Sequence, residues 1–420
     1  MHVKNYPRLI QARLEETLDD TPVVLLHGPR QCGKTTLAQK IGAQRGYTYF
    51  SFDDANLVAA VEADPIGFID RLNGKVILDE VQHVPELFSA IKQSVDQNRS
   101  PGRFLLTGSA NVLLLPKLSD SLAGRIEVVQ LRPLSRCEIE CSGAGLIQSL
   151  FDNHHRIDIQ PKLGDHLMTQ VVEGGYPEPL HRPTAQRKRR WYTNYINTLI
   201  QRDIRDLARI SNLDVLPKLL ELTAAQSAHL LNMSKIAAPF QLSRQTVASY
   251  FALLEQMFLL ELLPAWHHNR GKRLIKTPKV HISDTGLATA LLGVTTEQLQ
   301  RDRAMFGHLL ESFIYNELRR QAGWYDGDVR FYHYRDKDQY EVDIVLERSG
   351  GGIVGIEVKA AATVNASDFK GLKRLRSVCG DAWCSGVLFY DGTTPLPFDD
   401  SLIALPIRRL WQGTTEHHGE

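Results

Sequence analysis

The stretch VVLLHGPRQCGKTTLAQKI, residues 23–41, decides the fold of the first part of the chain. It joins an apolar run to a helical pattern through a loop with the spacing G-x-x-x-x-G-K-T. In such a loop, glycines let backbone amides turn inward around phosphate oxygens, and the positive end of the following helix strengthens the attraction. Lys34 is placed to reach the terminal phosphates and Thr35 to hold a magnesium ion. The residues expected to bind nucleotide are Gly28, Gly33, Lys34, Thr35 and Thr36.

A second apolar run, KVILD at residues 75–79, is followed at once by another acid, so that Asp79 and Glu80 form an acidic pair. Beside a phosphate loop, Asp79 is expected to help hold magnesium and Glu80 to polarise the attacking water. The alternative is that the pair only marks the start of a helix. The phosphate loop favours the first interpretation, which predicts ATP hydrolysis with ATP and Mg²⁺ as cofactors.

Two later segments add polar residues to this part of the chain. RFLLTGSAN, residues 103–111, is predicted to be a strand that places Thr107 and Ser109 where they can sense the γ-phosphate and orient water. LAGRIEVVQL contains Arg125, which either reaches the nucleotide of a neighbouring subunit or forms a salt bridge within its own subunit. The first alternative predicts a homo-oligomer that assembles through the ATPase domain.

Length and composition predict a globular protein with more than one domain. The chain has 420 residues, of which 43% are hydrophobic and 23% charged, and it contains no long uncharged apolar run. This composition excludes disorder and a membrane partner. The N-terminal sequence MHVKNYPRLI lacks a signal-peptide pattern, and the five cysteines lack metal-ligand spacing, so we expect a cytoplasmic location and reduced thiols.

Several motifs together resemble one family, the bacterial and archaeal AAA+-like ATPases that carry a C-terminal DUF4143 domain. The motifs are GPRQCGKTT, ILDEVQHVPELF, LLTGSA, LAGR, GGYPEPL, RDI, ISDTGLA, ESFIYNEL, EVDIVLE and IEVKA. They cover nearly the whole chain. The resemblance implies an α/β fold with an additional-strand (ASCE) P-loop sheet, in which the LLTGSA strand separates the acid-bearing strand from the phosphate-loop strand.

The pattern of apolar residues divides the chain into three predicted domains. Residues 1–140 alternate strands and helices and form the P-loop ATPase domain with a parallel sheet. Residues 166–300 are mainly helical and contain a lid and a winged-helix region, and residues 301–410 return to a mixed α/β pattern. The helix RKRRWYTNYINTLIQRDIRD either covers the nucleotide, with Arg202 or Arg205 near it, or is a packing helix with solvated charges.

The winged-helix prediction rests on residues 232–284, which suggest a helix, a turn, a second helix and a basic hairpin. Ser243 is expected to cap the second helix, whose first turn would meet base edges or phosphates. Such modules also serve as plain protein contacts. The basic hairpin favours DNA as the partner. The predicted DNA-contacting residues are Ser243, Arg244, Gln245, Thr246, Arg270, Lys272 and Arg273.

The last block has the order of a PD-(D/E)XK nuclease fold: a glutamate on a helix, an aspartate on a strand, and Glu-x-Lys on the next strand. Asp343 and Glu357 would hold one or two magnesium ions, Glu311 would complete the shell through water, and Lys359 would activate the attacking water. The alternative is a cross-strand ion pair between Asp343 and Lys359. Domains with this fold include non-cleaving DNA binders, so the sequence leaves cleavage open.

The sequence thus predicts an AAA+-type ATPase that couples ATP hydrolysis to DNA binding or remodelling. One alternative is a nucleotide-gated switch or scaffold with a non-cleaving C-terminal binding module. Another is a structure-specific nuclease in which the ATPase regulates access.

Overall fold

The computed structural model describes residues 6–109, 122–143, 145–204, 214–273 and 276–412. The side chains of residues 202–204 and 270 are outside this description, so the predictions for Arg202 and Arg270 concern undescribed side chains. Arg205 lies outside the described residues altogether. In the described part of the chain, no helix has the length and apolar character needed to span a membrane.

The chain divides into two compact units. The first comprises residues 8–134 together with 256–258, and the second comprises most of the remaining chain from residue 135 onward. The second unit therefore contains the predicted nuclease-like domain and, apart from residues 256–258, the predicted winged-helix region. The boundary between these two domains stays a prediction.

The first unit is built on a parallel sheet with the spatial order β2-β3-β4-β1-β5. Its strands are β1 (Val23–His27), β2 (Thr48–Ser51), β3 (Val76–Asp79), β4 (Phe104–Gly108) and β5 (Ile126–Gln130). The acid-bearing strand β3 pairs with β4, and β4 pairs with the phosphate-loop strand β1. The predicted α/β class and the insertion of one strand between β3 and β1 are confirmed.

Hydrophobic clusters cover both faces of this sheet. The central strands are therefore continuous apolar runs in the sequence. Along β1, Val23 and Leu25 belong to one hydrophobic cluster, whereas Val24 and Leu26 belong to another. The helices of the unit are α1 (Gln11–Asp20), α2 (Lys34–Arg45), α3 (Ala55–Ala63), α4 (Pro65–Arg71) and α5 (Leu87–Gln97), with a 3-10 turn at Val81–His83.

Within its described residues, the second unit contains two sheets. A three-stranded antiparallel sheet has the order β6-β8-β7, and a six-stranded mixed sheet has the order β13-β14-β12-β11-β10-β9. The strands of the small sheet are β6 (His229–Leu230), β7 (Leu260–Leu263) and β8 (Lys279–Ile282). Those of the large sheet are β9 (Val329–Arg335), β10 (Glu341–Arg348), β11 (Ile353–Lys359), β12 (Trp383–Tyr390), β13 (Leu396–Asp399) and β14 (Leu402–Pro406).

Helices surround these sheets. In the first half of the unit they are α6 (Arg136–Glu140), α7 (Leu146–Phe151), α8 (Asp165–Glu173), α9 (Pro177–Leu180), α10 (Ala185–Thr198), a π-helical segment (Leu199–Ile204) and α11 (Val215–Ala224). Those that follow are α12 (Met233–Ala237), α13 (Arg244–Gln256), α14 (Arg270–Arg273), α15 (Thr285–Leu292), α16 (Thr296–Arg301), α17 (Arg303–Gln321) and α18 (Lys370–Cys379). Short 3-10 segments lie at Ala238–Phe240, Ala366–Phe369, Gly380–Ala382 and Ile407–Trp411.

Helices α12 and α13, followed by β7 and β8, have the order expected of a helix-turn-helix with a wing. The tip of the hairpin differs from the expectation because it carries a one-turn helix, α14, where the sequence suggests only a turn. A capping hydrogen bond begins α13, since the Ser243 hydroxyl accepts from the Thr246 amide at 3.0 Å, as predicted.

Two of the family-like motifs, GGYPEPL and ISDTGLA, meet inside the second unit at the buried carboxylate of Asp284. The carboxylate accepts hydrogen bonds from the backbone amides of Gly175 at 2.7 Å and Gly286 at 2.9 Å. It also pairs with Arg320 at 2.7 Å, and the same guanidinium pairs with the buried Glu317 at 2.7 Å. These motifs therefore have a structural role, holding α15 and α17 around an internal ion network.

Candidate nucleotide site and C-terminal carboxylate cluster

The phosphate loop lies between β1 and α2. Gly33 precedes α2 with a φ of 103°, a left-handed conformation that favours glycine. Gly28 is required for a different reason, because a Cβ atom there would lie 2.0 Å from the carbonyl oxygen of Leu131. The amides of the first turn of α2, including that of the exposed Thr36, have no acceptor within the helix and can therefore face an anion.

Lys34 is the first residue of α2, and only 4% of it is exposed. Its ammonium donates to the carbonyl oxygens of Gly28 and Pro29, each at 3.0 Å. Both carbonyls are neutral acceptors within the loop, so the full positive charge of Lys34 stays in the loop. That charge is available to an anion.

The buried carboxylate of Asp79 is the centre of this site. It lies at the end of β3, accepts from the Thr35 hydroxyl at 3.1 Å and from the Tyr49 hydroxyl at 2.7 Å, and receives a further hydrogen bond from Thr107. Burial, together with the neighbouring Asp79, raises the pKa of Tyr49 to about 12. A hydroxyl and a carboxylate side by side supply the hard oxygen ligands that Mg²⁺ prefers. The donor set therefore fits the predicted metal ion.

Glu80 follows Asp79 with a left-handed backbone, at a φ of 57°. Such a conformation is costly for a residue with a side chain and is often found at functional positions. The Glu80 amide donates to the Thr107 hydroxyl at 3.1 Å, and its carboxylate accepts from the Gln82 side chain. Backbone and side chain of the predicted water-activating residue are thus both held in place.

Three other residues of this unit were singled out by the sequence, and the structure locates each of them. Thr107 touches Asp79 and Glu80, so its hydroxyl joins the two acids. Ser109 is buried directly after β4. The Arg125 guanidinium lies 2.5 Å from Asp96 of the same chain, which is the salt-bridge alternative stated above.

Among the described residues, two that belong to the candidate nucleotide site carry no sequence motif. One is Tyr49, which reaches Asp79 from the edge strand β2. The other is Arg8, whose guanidinium donates to the carbonyl oxygens of Cys32 at 2.7 Å and Arg132 at 2.6 Å and so braces the loop. Neither could be found from local spacing, because both act across long separations in the chain.

In the second unit, the structure brings together the three predicted acidic ligands. Glu311 projects from α17, and Asp343 and Glu357 lie on the antiparallel neighbours β10 and β11, where Ile344 pairs with Ile356. Asp343 also accepts from the Val358 amide at 3.0 Å. Lys359, however, pairs with Asp368, which belongs to the 3-10 segment before α18.

A residue that sequence analysis did not select, Lys279, occupies the middle of this carboxylate cluster. Its ammonium lies 2.8 Å from Glu311, 2.8 Å from Glu341 and 3.1 Å from Asp343. The only hint in the sequence is a lysine at the start of the apolar strand KVHI, all four residues of which are buried. We call Lys279, Glu311, Glu341, Asp343 and Glu357 the carboxylate cluster from here on.

Burial and mutual repulsion perturb the acids of this cluster. Burial, with the charge of Asp343 adding to it, raises the pKa of Glu311 and of Glu357 above the usual range. Burial alone would favour a neutral amine at Lys279, but Glu311, Asp343 and Glu341 outweigh it and raise the pKa of Lys279 well above its usual value. The ammonium is therefore the stable form of this side chain.

As folded, the Lys279 ammonium lies against one oxygen each of Glu311, Glu341 and Asp343, where a metal ion would contact the predicted ligands Glu311 and Asp343, so the cluster does not fit a metal ion in this arrangement. Among the described residues, no group of three or more histidine, cysteine, aspartate or glutamate side chains is arranged to hold a metal ion. The predicted C-terminal magnesium site and the observed arrangement thus disagree.

The predicted DNA-contacting residues fall into two groups. Arg244 and Gln245 are exposed on the first turn of α13, and Lys272 is exposed at the hairpin tip, whereas Thr246 is half-buried. Arg273 points inward: it is 8% exposed, pairs with Glu347, and stacks over the rings of Trp266 and Tyr332 at 5.4 and 4.8 Å. Its charge is therefore used inside the protein.

Sheet order and site geometry define the first unit as a P-loop ATPase domain of the additional-strand class. Family models agree with this assignment: residues 20–140 match the model described as AAA domain. Residues 164–298 match a domain of unknown function (DUF8612), and residues 306–410 match a domain of unknown function (DUF4143). The resemblance to AAA+-like ATPases with a DUF4143 domain is confirmed by two of these matches, and the nuclease-like fold stays a prediction.

Curated relatives extend the likeness over most of the chain. The uncharacterized proteins Mb2031c of Mycobacterium bovis and Rv2008c of Mycobacterium tuberculosis are each 29% identical to it over 401 residues. Each alignment covers 95% of this chain and 83% of the relative. Coverage this high means that each of the three matched domains lies wholly or largely within the shared part.

Solved structures give more distant likenesses. The Walker-type ATPase of Pyrococcus abyssi is 17% identical, with a TM-score of 0.39, over 67% of this chain and 94% of that one. The RuvB Holliday junction branch migration motor of Thermotoga maritima is also 17% identical, with a TM-score of 0.30, over 63% and 93% of the two chains. At these scores neither likeness supports a functional conclusion.

Proposed function

We propose that this chain is a cytoplasmic AAA+-type ATPase that hydrolyses ATP with Mg²⁺ and couples the hydrolysis to binding or remodelling DNA. The five cysteines are free thiols, in keeping with the proposed compartment. The observation that carries the ATPase part is the Asp79 centre, one buried carboxylate that contacts Thr35 of the phosphate loop and, through Thr107, the backbone of Glu80.

The residues of the site have separate tasks in hydrolysis. The ammonium of Lys34 and the first-turn amides of α2 bind the terminal phosphates and stabilise the charge that develops on them. Glu80 orients a water molecule and accepts its proton, and the Gln82 amide positions the Glu80 carboxylate. Bound Mg²⁺ would supply charge neutralisation across the phosphates, with Thr35 and Asp79 as the residues that hold it.

The DNA part of the proposal is supported by the surface of α13. Val247, Tyr250 and Phe251 pack inward, whereas Arg244, Gln245 and the small residues Ala248 and Ser249 lie on the outer face. Polar and small side chains on one exposed helix face suit close approach to a groove. Lys272 adds a positive charge on the adjoining hairpin.

An assembly in which Arg125 reaches a neighbouring nucleotide also belongs to the proposal. The side chains of the Arg125–Asp96 pair are 27% and 46% exposed. Exposed ion pairs contribute little to stability, so Arg125 can leave Asp96 at low cost. Light scattering with and without ATP tests the oligomeric state, and a monomer in both conditions would contradict this part of the proposal.

Steady-state ATP turnover with and without single-stranded, duplex and branched DNA tests the function. We expect DNA to raise turnover, and the double variant Arg244→Ala/Gln245→Ala to need a higher DNA concentration for half-maximal stimulation. Lys162→Ala removes an exposed lysine elsewhere in the second unit and is the matched control. If no DNA changes the turnover, the nucleotide-gated switch replaces the DNA-remodelling proposal.

A further inference from the structure

The carboxylate cluster is already complete without a metal ion. An ammonium group has three N–H donors, and the Lys279 ammonium has three carboxylate groups within 3.1 Å. Glu311 and Asp343, two of the three predicted metal ligands, are among these three partners. The Lys279 ammonium thus contacts oxygens of Glu311 and Asp343 that a divalent cation would need as ligands. It also supplies the positive charge that the cation would have brought.

Lys279 has little freedom to leave this position. It lies on β8, the middle strand of the three-stranded sheet, where it pairs with Leu230 on one side and Leu263 on the other. Its side chain is 2% exposed. Withdrawing the ammonium would leave the buried Glu311 and the partly buried Asp343 without this counter-ion, which is unfavourable. The cation is therefore fixed by the fold.

The other residues of the predicted nuclease site are also engaged. Lys359, the predicted water-activating residue, pairs with Asp368. The first turn of α18 lies close over Glu357, because a Cβ atom at Gly371 would be 2.6 Å from the Glu357 carboxylate and 1.9 Å from the Glu341 carbonyl oxygen. In this arrangement Lys359 faces Asp368, and the first turn of α18 covers the Glu357 carboxylate.

We propose that Lys279 is the resident cation of the carboxylate cluster, and that the C-terminal domain neither binds a divalent cation there nor cleaves phosphodiester bonds. In this chain the role of the cluster is structural, because its ion pairs connect two parts of the second unit. The cluster joins β8 of the winged-helix region to α17 and β10 of the following domain. This inference is independent of the ATPase proposal, because it concerns residues of the second unit only.

Manganese binding to the full-length protein tests the inference directly. Mn²⁺ is titrated without nucleotide, and bound Mn²⁺ is read by electron paramagnetic resonance for the wild type and for Asp343→Asn. We expect the two titrations to coincide, because Asp343 is held by Lys279 and not by metal. A saturable Mn²⁺ site that is lost in Asp343→Asn would overturn the proposal, as would Mn²⁺-dependent nicking of labelled DNA that this variant abolishes.

Removal of the ammonium gives a second test, with thermal unfolding as the readout. Breaking a buried ion pair in a unit of this size lowers the melting temperature by roughly 5–15 °C, and we expect such a fall for Lys279→Met. Lys276→Met is the matched control, because within the described residues the Lys276 ammonium donates to a neutral acceptor, the backbone carbonyl of Arg335, at 3.2 Å. If Lys279→Met melts at the same temperature as the control, Lys279 is not the cation of the cluster. If Lys279→Met fails to fold, the Mn²⁺ titrations of the wild type and Asp343→Asn still decide.

Discussion

The candidate nucleotide site and the carboxylate cluster contain the same types of residue, but they differ in whether their charged groups can accept a ligand. Each combines a buried lysine with acids at or within apolar strands. In the first, the Lys34 ammonium rests on the neutral carbonyls of Gly28 and Pro29, and Asp79 accepts from neutral hydroxyls. In the second, the Lys279 ammonium is surrounded by three carboxylates.

The difference shows that the partner of each charge decides whether a site can take a ligand. A lysine that meets only neutral acceptors keeps its charge for an anion, and a carboxylate that meets only hydroxyls keeps its charge for a cation. When lysine and carboxylates meet each other, both charges are used. Four predictions test this comparison, in order of decreasing expected effect.

The largest effect separates the two lysines. Lys34→Ala is expected to lower ATP turnover by about 10²–10³-fold, because it removes a charge aimed at the phosphates. Lys279→Met is expected to leave turnover per folded molecule within about twofold, as it belongs to the other unit. Lys40→Ala, an exposed lysine on α2, is the control, and unchanged turnover in Lys34→Ala would contradict the assignment of the nucleotide site.

The next effect concerns the water-activating acid. Glu80→Gln should lower kcat by about 10²-fold while ATP binding is retained, because an amide cannot accept the proton of the attacking water. Single-turnover hydrolysis together with a nucleotide-binding titration measures the two quantities separately. Glu62→Gln, an exposed acid on α3, should behave like the wild type. An equal loss of binding would show that Glu80 acts on the nucleotide itself.

A smaller effect is expected at the hydroxyl that supports Asp79. Tyr49→Phe should raise the Mg²⁺ concentration needed for half-maximal turnover by about 10-fold, because outer hydrogen bonds orient metal-holding carboxylates. Tyr47→Phe is a close control, since the Tyr47 hydroxyl donates at 2.6 Å to the Gly102 carbonyl. The same shift in both variants would mean that Tyr49 has no particular role at Asp79.

The smallest effect is expected at Lys359, which lies on β11 two residues after Glu357 of the carboxylate cluster. Lys359→Ala should lower the melting temperature by only about 1–3 °C, because partly exposed ion pairs such as Lys359–Asp368 contribute little. Lys373→Ala, on the exposed face of α18, gives the baseline. A fall as large as that of Lys279→Met would show that Lys359 stabilises the protein as much as Lys279 does, and would contradict the account of Lys279 as the resident cation.

Local sequence was sufficient wherever the chemistry depends on neighbours in the chain. The phosphate loop, the acids at the end of β3 and the strand boundaries follow from spacing and apolar runs. The convergence of Glu311, Asp343 and Glu357 also follows, because a strand hairpin and the preceding helix fix their order. The position of β4 between β3 and β1 came from the family resemblance.

The rest depends on contacts between distant segments. Tyr49 reaches Asp79 from a separation of 30 residues, and Lys279 reaches Glu311 and Asp343 from separations of 32 and 64 residues. In the sequence, Lys279 is one of several positive residues in a hairpin predicted to face DNA. Only the packing of β8 against α17 and β10 shows that the Lys279 ammonium is buried and paired with acids of the protein itself. The inward orientation of Arg273 escaped prediction for the same reason.

The most direct test of the account is one titration of wild-type protein with end-labelled duplex DNA in the presence of ATP and Mg²⁺. ATP turnover and the length of the labelled strand are followed in the same samples. We expect turnover to rise with DNA while the labelled strand keeps its full length. ATP turnover that does not change with DNA, or a labelled strand that becomes shorter, would contradict the proposed function.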